Sequence, residues 1–137
     1  MSDSSDIDNA LIAKLAADAT LLALCPNGVY YGEAPPNSTR FVIVSLTEQV
    51  DGDQFGSRAY EDALYLVKAV MLSTASGDIK AAAARIDALL DQQPLTVSGY
   101  TVTTMRRQGR IRVPEVDDAD PTIRWQHRGG YYQVFAS

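Results

Sequence analysis

Few side chains in this sequence are equipped for chemistry, and His127 and Cys25 come first because each is the single residue of its type. Imidazole exchanges a proton near neutral pH, and a thiolate is a nucleophile or a soft metal ligand. His127 stands in Arg124-Trp125-Gln126-His127-Arg128, where no Ser, Cys or carboxylate falls at a catalytic spacing. It reads as a surface or interface histidine. Cys25 follows Leu21, Leu22 and Leu24 at the end of a helical stretch and reads as a buried structural thiol. A lone cysteine closes no intrachain disulfide, and the pair cannot found a Cys/His metal cluster. No catalytic, cofactor-binding or metal-binding residue is assigned, and no cofactor is expected.

Two further constellations carry charge. Asp51, Asp53, Gly56 and Asp62 occupy the first, third, sixth and twelfth positions of a calcium loop. Phe55 stands where a fifth-position oxygen is required, Asp62 is shorter than the usual bidentate Glu, and the flanks read as strand. A polar connection is the simpler reading. Arg106, Arg107, Arg110 and Arg112 form the second group. In an unbroken strand Arg106, Gln108, Arg110 and Arg112 share one face, with Arg107, Ile111 and Val113 on the other. No aromatic residues are interleaved for base stacking. Pairing with an acidic surface of another subunit is the preferred reading, because Asp51, Asp53, Asp117, Asp118 and Asp120 lie in expected loops. The candidate interface is therefore Asp51, Asp53, Arg106, Arg110, Arg112, Asp117 and Asp118. Gly129-Gly130 is an isolated pair with no phosphate-loop continuation.

These groups need a frame to hold them. Residues 1–6 are polar and read as a flexible lead, with one α+β domain over 7–137. Asp6 or Asp8 can cap a helix from Ile7 to about Leu24, where Leu11, Leu15 and Leu22 recur at helical spacing. Pro26-Asn27-Gly28 ends it. A loop from Val29 to Thr39 leads to a strand over Phe41–Val50, in which Val42, Val44 and Leu46 alternate with polar residues. Asp51 to Ser57 reads as a polar loop, and Tyr60–Leu72 as the returning strand of a hairpin. Ile79, Ala82, Ala83, Ile86, Leu89 and Leu90 then mark the clearest amphipathic helix, from about Ile79 to Gln92. Leu95–Val113 is strand sequence with a turn or bulge at Ser98-Gly99. Glu115–Pro121 is an acidic loop, and Ile123–Phe135 a final strand bent or bulged at Gly129-Gly130. The expected architecture is a four-stranded antiparallel sheet with two amphipathic helices packed on one face.

Composition narrows the class. The chain has 137 residues, 46% of them hydrophobic, which favours a folded domain over a disordered one. No apolar run approaches the roughly 20 residues of a membrane helix, and the acidic opening does not match a basic signal-peptide start. The net charge of −5 does not suit a chain built to grip phosphate.

In order, these segments resemble a known family. Ile7 to Asp18 looks like its opening helix, and Val29-Tyr30-Tyr31-Gly32-Glu33-Ala34-Pro35-Pro36 like its connection into Phe41-Val42-Ile43-Val44-Ser45. Tyr65-Leu66-Val67-Lys68-Ala69-Val70 is similar to the second strand, and Ala83 to Asp91 to a helix ending in Ala-Leu-Asp. Gln126 to Phe135 resembles the closing strand. The family is the tail terminator, or tail completion, proteins of long-tailed phages. The resemblance spans nearly the whole chain and departs over Met105–Asp120. It implies a structural virion protein of the tail–neck region, with no enzyme activity. It further implies a hexameric ring that caps the tail tube, stops its polymerisation and docks a head-completion or neck protein. DNA would pass through the lumen without sequence-specific binding, and six copies at −5 would give a formal −30. No membrane partner is implied. A head-completion or adaptor protein, and a small nucleic-acid-binding module using the arginines, stand as alternatives.

Overall fold

The computed structural model describes residues 4–54, 57–72, 76–97, 102–116 and 124–136. Ile7, Leu11 and Leu15 recur every fourth residue and are all fully buried, so they form the inner stripe of helix α1, Ser4–Ala16. Ser4 to Asp6, expected in the lead, belong to this helix. The single helix expected to reach Leu24 is two helices. Asp18 leaves the helical region at φ −88° and ψ 111°, and its Oδ2 accepts from the Leu21 N–H at 2.8 Å. A short carboxylate competes well for the free N–H groups of a first turn, so it restarts the chain as α2, Ala19–Leu24. The restart turns Leu21, rather than Leu22, into the core.

Cys25 is fully buried at the end of α2, as expected of a structural thiol, and burial pushes it up to about 11. The Asn27 side-chain oxygen then accepts from the N–H groups of Thr39 and Arg40, at 3.1 and 3.0 Å. Gly28, at φ 103°, turns the chain into a strand that the sequence did not reveal. This is β1, Val29–Tyr31, lying parallel to β2, Arg40–Gln54. Three residues are too few for a periodic pattern, which is why the segment read as loop.

β2 pairs antiparallel with β3, Ser57–Leu72, as the expected hairpin. The segment expected as a polar loop is mostly strand: Asp51 pairs with Glu61, Gly52 with Tyr60, Asp53 with Arg58 and Gln54 with Ser57. Ladder hydrogen bonds hold these polar residues where composition alone favoured a loop. Helix α3, Ser76–Leu90, buries Ile79, Ala82, Ile86 and Leu90, as its stripe required. β4, Val102–Val116, and β5, Arg124–Ala136, complete the sheet. β4 takes in Glu115 and Val116 from the expected acidic loop, and Asp117, Asp118 and Asp120 lie outside the described residues. The Ser98-Gly99 turn lies outside them too.

The sheet order is β1-β2-β3-β5-β4. It is a mixed five-stranded sheet, not the expected four-stranded antiparallel one, and the difference is the parallel β1. Val42 and Val44 of β2, Ala63, Tyr65, Val67 and Ala69 of β3, and Tyr132, Val134 and Ala136 of β5 share one core with the buried residues of all three helices. The helices therefore cover one face of the sheet. Tyr65 donates its hydroxyl to Asp8 of α1, fixing that helix over the middle strand.

Gly129 and Gly130 are not a bulge. Pairing continues through them without a shift, to Lys68 and Val67 on one side and to Ile111 and Arg110 on the other. A Cβ at 129 would lie 2.1 Å from the Val67 carbonyl oxygen, and one at 130 would lie 2.6 Å from that of Gly109. These positions take glycine because neighbouring backbones approach too closely for a side chain. Gly129→Ala should cost roughly 1–3 kcal/mol or more, as overpacking against rigid backbone does. Urea unfolding should show the lowered midpoint; an unchanged midpoint would refute this close-approach account.

Candidate functional site

The described carboxylates, cysteine and histidine form no cluster able to hold a metal ion. His127 lies half-buried on β5, paired with Val70 and Val113, with both ring nitrogens shielded from solvent. The calcium-like segment Asp51–Gln54 is one strand of a hairpin rather than a loop between helices. What the fold builds instead is an open groove of about 400 Å³ between α3 and strands β4 and β5.

One wall of the groove is helical. Lys80, Ala83, Ala84 and Asp87 recur at helical spacing beside the apolar stripe of α3, so they form a single flank of the helix. On its other side the helix is held by a charged tie: Arg85 Nε and Nη2 reach the two oxygens of Asp18, at 2.8 and 2.6 Å. The Arg85 hydrogen bonds, helped by the Leu21 N–H, hold the Asp18 carboxyl down at about 2 despite some opposing desolvation. At the other end of α3, Asp78 pairs with Arg40 of β2 at 2.8 Å.

The opposite wall comes from β4, and here the register decides. Arg106 pairs with Gln133 and Arg107 with Tyr132, but Gly109 pairs with Tyr131. Gln108 is thus an extra residue, a β-bulge, and it changes the parity of everything that follows. Arg110 falls opposite Gly130 and Arg112 opposite Arg128. Tyr132, Gly130 and Arg128 alternate on the helix-covered face of β5, so Arg107, Arg110 and Arg112 share that face. The expected grouping of Arg106 with Arg110 and Arg112 is therefore corrected. Arg106 belongs to the opposite face, and Arg107 takes its place in the groove. Lys80 and Arg128 join them, which spacing along one segment could not have foretold.

Asp87 organises the floor. Its Oδ2 pairs with Arg107 Nη1 at 2.9 Å, and its Oδ1 accepts from the Tyr132 hydroxyl at 3.0 Å. Burial, then the neighbouring Asp87 charge, raises the Tyr132 phenol well above its usual range and keeps it a donor. The Arg107 N–H donates to Asp91 at 2.9 Å, and the Gln92 N–H to the Met105 carbonyl at 2.8 Å. These bonds cap the outer edge of β4 over Met105–Arg107. Among the described residues, no ion pair is formed by Lys80, Arg110, Arg112 or Arg128. The groove is a concentration of uncompensated cations on a chain whose net charge is −5.

Among the described residues the sheet leaves two edges open. On β2, Gly32 donates to Val44 and Leu46 donates to the Tyr31 hydroxyl, so β1 and its exit cover the edge as far as Leu46. Thr47 is a bulge residue whose hydroxyl donates to the Leu64 carbonyl at 2.7 Å. Beyond it no described strand pairs with the outer edge of β2, and none pairs with that of β4 past Arg107. Pairing of β3 with β5 stops at Glu61, so residues 51–54 and 57–60 form a two-stranded arm beyond the rest of the sheet.

Among the described residues the sheet thus leaves two edges unpaired and sets a cationic groove beside one of them. The tail completion protein gp17 family matches residues 9–127, and the chain belongs to that family. This makes it a structural protein of the tail region. The fold is similar to that of a chain from the virion of a native gene transfer agent particle, with a TM-score of 0.63 at 20% identity. That alignment covers 98% of this chain and 97% of the other. A second solved chain aligns with a TM-score of 0.58 at 16% identity, covering 98% and 96%. No curated protein sequence matches the chain.

The Asp18–Arg85 tie has a pH signature. Asp18 titrates at about 2 when folded, below its ordinary 3.8, so its contribution is present above pH 4 and fades as pH falls toward 2. Asp18→Asn keeps a capping side chain but loses the ion pair; Asp18→Ala loses both and should cost about 1 kcal/mol more at neutral pH. Urea midpoints from pH 6 to pH 2 should show wild type converging on Asp18→Asn in acid. A constant gap would refute the tie.

Proposed function

We propose that this protein is a tail terminator: a ring of identical copies, six by family resemblance, that caps the tail tube. The ring stops tube polymerisation and offers its other face to a head-completion or neck protein. DNA passes through the central opening without being read. The protein acts by surface complementarity, without catalysis and without a cofactor.

The observation that carries this reading is the placement of the two open edges on opposite sides of one sheet. A contact between unlike surfaces repeats head to tail, and it closes into a ring when the rotation closes. The two edges also differ in charge. In sequence, β2 carries Glu48, Asp51 and Asp53 past Leu46, and β4 carries Arg110 and Arg112 past Arg107. Asp51, Asp53, Arg110 and Arg112 are thus proposed as contacts between copies. Arg106, on the uncovered face, and Asp117 and Asp118 are proposed as contacts with the tube or neck. The gene transfer agent chain, similar over almost its full length, supports a place within a phage-like particle.

Adding the purified protein to polymerising tail-tube subunits tests the function. Tubes should become shorter and uniform in length, and sedimentation should find the protein in a closed oligomer at tube ends. Tubes of unchanged length with filled heads attached to the protein would favour the adaptor reading instead.

A further inference from the structure

We propose that the groove between α3 and β4–β5 is a binding site for phosphate groups, held by Lys80, Arg110, Arg112 and Arg128. The site does not rest on the ring reading, because a single copy of the chain supplies all of it. Lys80 comes from α3, Arg110 and Arg112 from β4, and Arg128 from β5, and the four line one recess of about 400 Å³. Among the described residues none of the four forms an ion pair. Asp87 lines the same recess without neutralising them. Its Oδ2 is engaged by Arg107 and its Oδ1 by the Tyr132 hydroxyl. Like charges gathered around a recess repel one another, and an entering anion relieves that repulsion.

The arrangement favours one kind of anion. Cations drawn from a helix and two strands reach the recess from different sides. A tetrahedral group with oxygens pointing several ways answers them better than a planar carboxylate with two. Arg110 and Arg112 share a face two residues apart, roughly 6.6 Å along the strand, so neighbouring phosphates can engage one guanidinium each. Ala83, Ala84 and Gly129 keep the recess free of bulk. Its one aromatic, Tyr132, is fully buried with its hydroxyl given to Asp87. The groove therefore offers no platform for stacking bases and takes phosphates alone. Its ligand is a free polyphosphate or the backbone of a nucleic-acid strand, contacted without regard to sequence.

Titration calorimetry with tripolyphosphate tests the site, on the protein in whatever oligomeric state sedimentation finds. Arg110→Gln and Arg112→Gln should each weaken binding roughly tenfold, the scale of one charge-assisted hydrogen bond. Arg106→Gln makes the same charge change at an exposed position on the opposite face of β4, and it should leave the affinity nearly unchanged. Ala84→Leu alters no charge but fills the recess from an exposed helix position, so it should weaken binding while the urea midpoint holds. A fluorescent oligonucleotide of mixed sequence then separates the two sources. If it binds and tripolyphosphate displaces it, the ligand is nucleic-acid backbone, and each arginine removed should lower the salt slope by about 1. If tripolyphosphate alone binds, the ligand is a free polyphosphate. Absence of tripolyphosphate binding, an equal loss with Arg106→Gln, or equally tight binding of the tricarboxylate citrate overturns the proposal. Tube length unaffected by a protein that still binds tripolyphosphate would overturn the terminator reading and keep the phosphate site.

Discussion

One extra residue in β4 governs the charge distribution of this molecule. Because strand side chains alternate strictly, Gln108 moves Arg110 and Arg112 to the helix-covered face and leaves Arg106 on the other. Without the bulge, Arg107 and Arg110 would lie on opposite faces, and the groove would hold two fewer strand cations. Asp87 then fixes the arrangement by joining α3 to Arg107 of β4 and Tyr132 of β5 at once. The close approach at Gly129 and Gly130 serves the same end, since a side chain on Gly130 would fill the space beside Arg107. Shape and charge in the groove thus follow from register.

Much of the frame was legible in the residues. The stripe of α3 and the β2–β3 hairpin follow from periodicities of 3.6 and 2, which burial of one face enforces. Elements set by a single local contact were not legible. Asp18 could equally have been a polar residue in the middle of a helix, and only its bond to the Leu21 N–H makes it a cap. β1 is held by pairing with a strand more than ten residues away, and three residues leave no pattern to read. Polar hairpin ends escape for the opposite reason: their composition says loop, while the ladder says strand.

The candidate site was half visible. The arginine cluster stood out by density, but its sorting between faces required the bulge. Gly109 beside Gln108 was the available hint, because glycine inside a strand often marks an extra residue or a close approach. Lys80, Asp87 and Arg128 could not have been added from spacing, since they come from other elements. A subtler hint existed on α3. Lys80, Ala83, Ala84 and Asp87 form a second, small and polar stripe, and small residues on a flank beside charge leave room for something to enter.

Open edges are a hazard for any sheet protein, because unpaired backbone groups template further pairing. This fold controls the hazard selectively. Tyr31 and Gly32 close the edge of β2 up to Leu46, and Asp91 and Gln92 close that of β4 over Met105–Arg107. The stretches left open carry charge of opposite sign on the two sides. Like stretches therefore repel, which disfavours pairing between two identical edges. A bulge at Thr47 increases local twist where the acidic stretch begins, which discourages flat stacking.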